Sequence, residues 1–355
     1  MHLLRTSMHW RSIGPPLVFV VLGVVPLAAP GAEDAAAKPA PGAGGPESPA
    51  ALRPGEADGA FDFRTEEMEG TICLADAYHG VTRLVDRRTG RQVIDPRYSA
   101  LNLFKLMSVN QIMGQPRTME RTIEAAPNRV EVRWAATDGH KGEISARYEV
   151  PEPNAVDVTV TVRSQGAYRG YELFLSNYFD PTLRPYVFLK SRRAEPEWVL
   201  PLVNDVFRGT VLVFPRDAHA ARRCVDGRWE RNEYKTPVVQ MCPVRHYAKC
   251  LAIVTDSEKR LGVALMAHPR DAYAISTRYF AENDADRMTT YSAFDFSLFG
   301  DDLLPGDARS VKVRLALVPL EGDLSRALAM YERFVGRTAE GLDAPHSSDT
   351  KGEAR

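Results

Sequence analysis

The residue types best able to do chemistry gather in one segment, Glu172 to Asp180. Glu172, Asn177, Tyr178 and Asp180 end an apolar run that leads into Pro181. Asn and Asp side chains hydrogen-bond hydroxyl groups, and a tyrosine ring covers the apolar face of a sugar. The combination reads as a saccharide subsite; a strand end followed by an Asp-Pro turn accounts for the same residues without a ligand. Asn110 and Arg117 are further groove-lining candidates, set against a reading as solvated loop residues. For catalysis the candidates are His246, beside Arg245, with Glu172 as its carboxylate partner, because an imidazole exchanges protons near neutrality. His79, at an expected hairpin edge, is the second histidine and joins the ligand-binding set; His268 precedes Pro269 and reads as a strand end. Either catalytic candidate is equally a polar surface or core residue. Glu172 with Glu282 or Asp284 would be a carboxylate pair of the glycosidase or lyase kind. Acidic loops at Glu282, Asp284 and Asp286, and at Asp301 and Asp302, could hold calcium or simply be solvated.

Cys242, His246 and Cys250 form a C-x3-H-x3-C arrangement, with His219 and Cys224 upstream. Zinc takes thiolate and imidazole ligands, but this spacing fits no standard finger. In an exported chain the thiols meet oxidant, which favours Cys224 bonded to Cys242 or to Cys250 over a metal. Cys73 is the fourth cysteine, and free buried thiols remain the other outcome. No metal and no cofactor is expected. The sequence has no G-x-G-x-x-G leading into a helix, no P-loop, no H-E-x-x-H and no G-x-S-x-G. Nucleotide binding, zinc proteolysis and α/β-hydrolase chemistry are therefore set aside.

These residues need a scaffold, and the rest of the sequence describes one. The chain has 355 residues, 45 basic and 46 acidic, for a formal net charge of −1. With 44% hydrophobic residues it is a globular composition, and the even charge balance argues against nucleic acid as a partner. Arg5 and Arg11 precede the nine-residue apolar run Leu17–Val25, and small residues follow through Ala29-Pro30-Gly31. This is the layout of a signal peptide over residues 1–31, the run being too short for a span of about 20 residues. An exported protein is expected, in the periplasm, the cell envelope or outside the cell, without membrane attachment once the signal is removed; an uncleaved anchor is the alternative. Residues 32–60 are rich in Ala, Gly and Pro and read as a disordered linker, and residues 338–355 as a frayed tail.

Between them, residues 61–337 read as strand after strand. Val130, Val132 and Trp134 alternate with Glu131 and Arg133; Ile144 to Val150, Val156 to Val162 and Val311 to Leu317 repeat the pattern. Period-two alternation gives each strand one buried and one wet face. Arg88-Thr89-Gly90, Pro153-Asn154 and Pro305-Gly306 mark reversals. One helix is expected, with Asp323 as its N-cap, Leu324, Ala327, Leu328, Tyr331, Phe334 and Val335 on its apolar face, and Gly336 at its end. Ser99 to Gly114 fits either a buried strand with a loop or a short helix. Ser191 to Pro237, with Trp198, Trp229 and Tyr234, is less regular and reads as a loop wall or an ordinary insertion. An all-β, antiparallel two-sheet sandwich with a short C-terminal helix follows.

Several segments together resemble a known family. They are the hairpin strands around His79-Gly80-Val81 and Thr89-Gly90, the Pro151-to-Asp157 turn into alternating valines, and Tyr171 to Phe179. Tyr291 to Gly300, Leu304 to Asp307 and Arg314 to Pro319 complete the set. This order of elements resembles the galactose mutarotase-like supersandwich, whose concave sheet face holds sugars. The resemblance implies a saccharide partner. The family's aldose 1-epimerases carry a catalytic His in a segment like His-Ser-Tyr-Phe-Asn; here Ser176-Asn-Tyr-Phe-Asp180 is the nearest match, and Ser176 stands in the place of that His. Serine has no basic nitrogen with which to shuttle a proton, and the family's late Glu base has no clear counterpart. The reading is therefore saccharide binding first, an epimerase-like or hydrolase/lyase-like enzyme second, and a structural envelope protein without ligand third.

Overall fold

Alternating sequences demand two-faced strands, and the computed structural model of the chain is built from them. It describes residues 49–109, 111–192, 194–201, 211–224, 240–241, 245–278 and 291–342. Among these, the strands form three sheets. The first is a meander in chain order: β1 (Arg53–Pro54), β2 (Ala60–Arg64), β3 (Met68–Cys73), β4 (Gly80–Asp86) and β5 (Arg91–Gln92).

The eight-stranded sheet holds β6 (Asn102–Ser108), β7 (Gln111–Gly114), β12 (Glu172–Ser176), β13 (Tyr178–Phe179), β16 (Val211–Pro215), β17 (Gln240–Met241), β20 (Ala272–Arg278) and β21 (Ser292–Phe299). Its order is β17-β16-β20-β21-β12-β6-β7, with β13 beside β21. The nine-stranded sheet holds β8 (Thr122–Ala126), β9 (Arg129–Trp134), β10 (Gly142–Glu152), β11 (Ala155–Ser164), β14 (Arg184–Leu189), β15 (Glu197–Val199), β18 (Tyr247–Thr255), β19 (Leu261–Ala267) and β22 (Ala308–Pro319). Its order is β15-β14-β18-β19-β22-β11-β10-β9-β8. The ladders are antiparallel except for β16 with β17. The all-β sandwich expected from the sequence is present, with the N-terminal meander as a third, smaller sheet.

One continuous apolar core joins the sheets. Val130, Val132 and Trp134 of β9, the four valines of β11, Leu173 and Leu175 of β12, and Phe294 and Phe296 of β21 all face it. Each such side chain removed from water contributes about 1.5–3 kcal/mol. In β10 buried and half-buried residues alternate, as a sheet with one wet face requires. In β12 and β21 every residue is buried. Both faces of these two strands are covered, and the face away from the core becomes the interesting one.

The hairpin read at Arg88-Thr89-Gly90 joins β4 to β5, with Asp86 opposite Arg91. Gly90 sits at φ 71°, where glycine has no steric cost. Asp86 holds the turn, accepting from Arg88 Nε at 3.0 Å and Thr89 Oγ1 at 2.8 Å. Ser99 to Gly114 resolves into β6 and β7, so it is strand rather than helix.

Two boundaries differ from the sequence reading, and one element was not anticipated. The linker expected over 32–60 is folded from residue 49: Ala50 N bonds Val150 O, Leu52 N bonds Pro127 O, and Leu52 enters the core. A single Leu in an Ala/Gly/Pro stretch gives no periodicity, and the ordering comes from long-range pairing. The C-terminal helix α2 (Ser325–Leu342) runs past Gly336 into the expected tail. Nothing lies close to Gly336, so a glycine there costs helix propensity without forcing a stop. Asp323 accepts from Ser325 N at 2.9 Å, the capping role expected of it. A short helix α1 (Ala218–Cys224), not anticipated, lies in the irregular middle stretch. Its N-terminus is fixed by Asp217, which accepts from Ala220 N at 2.9 Å.

Candidate functional site

Residues directly opposite on neighbouring strands share a face. Phe174 of β12 stands between Lys105 of β6 and Ser297 of β21, and Asp295 of β21 stands opposite Ser276 of β20. Alternation puts Glu172 and Ser176 on the Phe174 face of β12, away from core-facing Leu173 and Leu175. The result is a polar layer of Lys105, Glu172, Ser176, Ser276, Asp295 and Ser297, spread over four adjacent strands and buried. Polar and ionisable side chains are rarely gathered in burial without a use, so a whole layer of them on one sheet face marks a candidate site rather than a core.

Asp295 is the centre of this layer. Its Oδ1 accepts the Asn177 N–H at 3.0 Å, just where β12 ends and β13 begins. Burial pushes its carboxyl up to about 7, against the opposing pull of that N–H and of the Arg278 charge. A carboxyl with this pKa exists in both forms near neutrality and can take or give a proton.

A cluster of four tyrosines begins beside it at Tyr178 and Tyr291, both of which feel its charge. The Tyr178 ring lies 4.8 Å from Tyr98, 4.9 Å from Tyr291 and 5.9 Å from Tyr78. Tyr98 meets Tyr291 at 5.2 Å and Tyr78 at 5.0 Å. Arg278 donates to Tyr291 Oη at 2.9 Å. Burial, followed by the Asp295 charge, holds the Tyr178 hydroxyl well above its usual range. All four tyrosines are half-buried, so part of each remains open.

The sequence-predicted residues fall into several groups. Tyr178 stands in the aromatic cluster, and Glu172 on the polar face. Asn177 underlies the same place but serves as scaffold: its Oδ1 accepts from Leu101 N at 2.8 Å, and its Nδ2 donates to Leu175 O and Phe294 O. Both amide donors are spent on backbone, which corrects its placement as a ligand contact. His79 is corrected likewise. It is wholly buried, Leu103 N donates to its Nε2 at 3.1 Å, and burial with the Arg121 charge lowers its pKa to about 3. It is a neutral core imidazole against Trp134. Asp180 accepts from Thr182 N at 2.9 Å and lies 3.5 Å from Arg91, so it caps the turn before β14. Asp302 similarly accepts from Gly170 N at 2.7 Å, a loop-fixing contact.

Arg117 lies over the Phe104 ring at 4.1 Å, with Lys105 Nζ 5.9 Å from the same ring and Phe174 6.2 Å beyond. It therefore reaches the border of the polar face. Asn110 lies outside the described residues, as do Glu282, Asp284 and Asp286. His246 precedes β18 in the nine-stranded sheet, its carbonyl accepting from Lys190 N at 2.8 Å. Among the described residues no hydrogen bond or ion pair joins it to Glu172, which belongs to the other sheet; the expected catalytic pair is not formed. Cys250 is a free, wholly buried thiol in β18, which removes it from the disulfide candidates. Cys242 and the Cys224 side chain lie outside the described residues. Cys73 is also free.

Asp295 is a site residue that the sequence reading does not single out. A signal is present nonetheless: Asp295 and Ser297 interrupt the apolar run Ala293 to Phe299 at alternate positions. A hollow elsewhere, between Arg53, Asp62, Arg64, Glu69 and Arg83, is a surface of charges meeting one another, with Arg83 and Arg64 both on Glu69. Such solvated pairs contribute little and point to no ligand.

No protein-family model and no curated protein sequence matches the chain. Its structure is similar to several solved ones. A candidate aldose 1-epimerase from Escherichia coli K12 is 11% identical at a TM-score of 0.44, covering 74% of this chain and 100% of that one. A galactose 1-epimerase from Lactobacillus acidophilus is 11% identical at 0.39, covering 74% and 95%. A heparan sulfate lyase mutant from Pedobacter heparinus is 9% identical at 0.41, covering 77% of this chain and 37% of that one. Likeness at this level concerns strand arrangement and says nothing of activity.

Proposed function

We propose that this chain is an exported saccharide-binding protein with a galactose mutarotase-like sandwich, and that the saccharide sits on the polar face of the eight-stranded sheet beside Asp295. The observation that carries this reading is the buried layer of Lys105, Glu172, Ser176, Ser276, Asp295 and Ser297, bordered by half-open Tyr178 and Tyr291 and, through them, by Tyr78 and Tyr98. Hydroxyl and carboxyl groups answer sugar hydroxyls, and the rings answer the apolar C–H faces. Clustered polar groups on this face weigh against a purely structural role. Export is supported by the basic start and the Leu17–Val25 run.

Asp295 favours a second reading, a carbohydrate-active enzyme in which this carboxyl exchanges a proton with a sugar oxygen. Both readings are tested together by calorimetry on a panel of neutral and acidic sugars and by NMR measurement of anomer exchange and reducing-end release. Binding that weakens at least tenfold in Asp295→Asn supports the site; binding and turnover both left unchanged by the substitution remove Asp295 from it. Turnover lost in Asp295→Asn while binding persists would place the chain among the enzymes.

A further inference from the structure

The tyrosine cluster has two sides, and only one faces Asp295. On the other, Tyr78 and Tyr98 form a wall of a groove that also meets Thr71, Asp76, Thr82 and Arg97. The groove exists because this part of β2 to β4 and the turn beyond carries small side chains. Ala57, Ala60 and Ala77 leave room that larger residues would fill. Its cavity volume of about 460 Å³ falls within the range of about 300–1,000 Å³ common to small-ligand pockets.

Its polar groups are set for hydroxyls. Thr71 Oγ1 donates to Asp62 at 2.6 Å and Thr82 Oγ1 donates to Thr71 O at 3.4 Å, so each hydroxyl keeps lone pairs for an incoming donor. Asp76 is exposed at the rim, and its Oδ2 accepts only weakly, from the Cys73 thiol at 3.5 Å. The charge of Arg97 is matched by Asp95, 2.7 Å away. Arg121 donates to the Asp76 carbonyl at 3.1 Å and its charge meets that of the Asp76 carboxylate. The groove therefore offers aromatic faces, hydroxyls and charges already balanced by one another, which suits a neutral ligand better than an anionic one.

Tyr98 ties the two places together. Its ring borders the groove and also meets Tyr178 at 4.8 Å and Tyr291 at 5.2 Å, the rings that flank Asp295. A ligand crossing this ring would touch the groove at one end and the polar sheet face at the other.

We propose that the groove is a second subsite, holding the neighbouring unit of a neutral oligosaccharide or polysaccharide whose first unit lies beside Asp295. This rests on the saccharide reading above and adds to it the chain nature of the ligand. A chain that occupies two subsites binds more tightly than either unit alone, because the second contact forms within an already bound molecule.

The test is calorimetry on the folded protein with mono-, di- and tetrasaccharides of the cello-, malto-, xylo- and galacto-series. The expected result is at least a tenfold tighter Kd for the tetramer than for the monomer in one series. In Thr82→Trp, where the added ring fills the groove, the tetramer affinity should fall to that of the monomer. Tyr98→Ala, which removes the shared wall, should lose the same advantage and serves if Thr82→Trp fails to fold. Equal Kd for monomer and tetramer in the unmodified protein, or an advantage that survives both substitutions, overturns the second subsite and leaves the Asp295 site standing. Absence of binding to sugars of every length overturns both.

Discussion

The acid at the centre of the site makes a stability prediction independent of any ligand. Asp295 titrates near 7 in the folded chain and near the ordinary 3.8 when unfolded. Between those values the unfolded chain has lost the proton and the folded chain still holds it. Stability is therefore fully present below about 3.8 and falls as pH rises through 7. The gap is about three pKa units, each worth about 1.4 kcal/mol, so the whole effect is on the order of 4 kcal/mol. About 1.7 kcal/mol of it is already lost by pH 5, which leaves roughly 2.5 kcal/mol to be lost between pH 5 and pH 8. Asp295→Asn keeps an oxygen to accept the Asn177 N–H and removes the titration. Urea unfolding of both proteins at pH 5, 6, 7 and 8 isolates the effect, since every other titrating group cancels in the difference. The variant should gain about 2.5 kcal/mol on the unmodified protein across that range. A difference that stays flat from pH 5 to pH 8 would refute the burial argument and with it the proton-exchanging character of the site.

Three further predictions concern the scaffold. His79 and His140 are buried with pKa values lowered to about 3 and about 4, mainly by burial, so each contributes stability that is present above 6.5 and lost as pH falls. Replacing His140 by Phe should flatten acid unfolding between pH 6 and 4 by up to about 1.4 kcal/mol per pH unit, read by urea titration at each pH; an unchanged slope would count against it. Arg314 bonds buried Asp157 at 2.7 and 2.9 Å, and Lys312 lies 2.9 Å from the same carboxylate, so Arg314→Met leaves Asp157 only partly compensated and should cost about 1.5–3 kcal/mol. Much of that loss should be recovered in the double variant with Asp157→Asn, measured by denaturant midpoint. Cys250, a free thiol in the core, should be alkylated under denaturing conditions without reductant and be protected in the native state; mass spectrometry that finds it in a disulfide would contradict the structure.

The sandwich was legible in the sequence because its strands announce themselves by alternation. Val130 to Trp134, Ile144 to Val150 and Val156 to Val162 each show a two-residue period, and each is a strand in the nine-stranded sheet. The eight-stranded sheet was harder to read, since β12 and β21 are covered on both faces and the alternation between core and site is between two kinds of buried residue. Reading polarity alone, Asn177 and His79 looked like ligand contacts. The Asn177 amide is instead consumed by backbone groups of Leu101, Leu175 and Phe294, and the His79 imidazole by Leu103 N and the Arg121 guanidinium, partners distant in sequence or hidden in the fold. His246 and Glu172 were joined by chemical suitability, which carries no information on which sheet a residue joins. Tyr98 and Tyr291 meet Tyr178 across about 80 and 110 positions of chain, and no local spacing encodes such a contact.

The claim most in need of measurement is that a titrating Asp295 lies where saccharide binds. Carbon-13 NMR of aspartate-labelled protein follows each carboxyl through pH 4 to 9. One carboxyl should titrate near 7, vanish in Asp295→Asn, and shift when a binding sugar from the panel is added. If every aspartate titrates below 5, or if the sugar binds and leaves that resonance unmoved, the site has been placed on the wrong face.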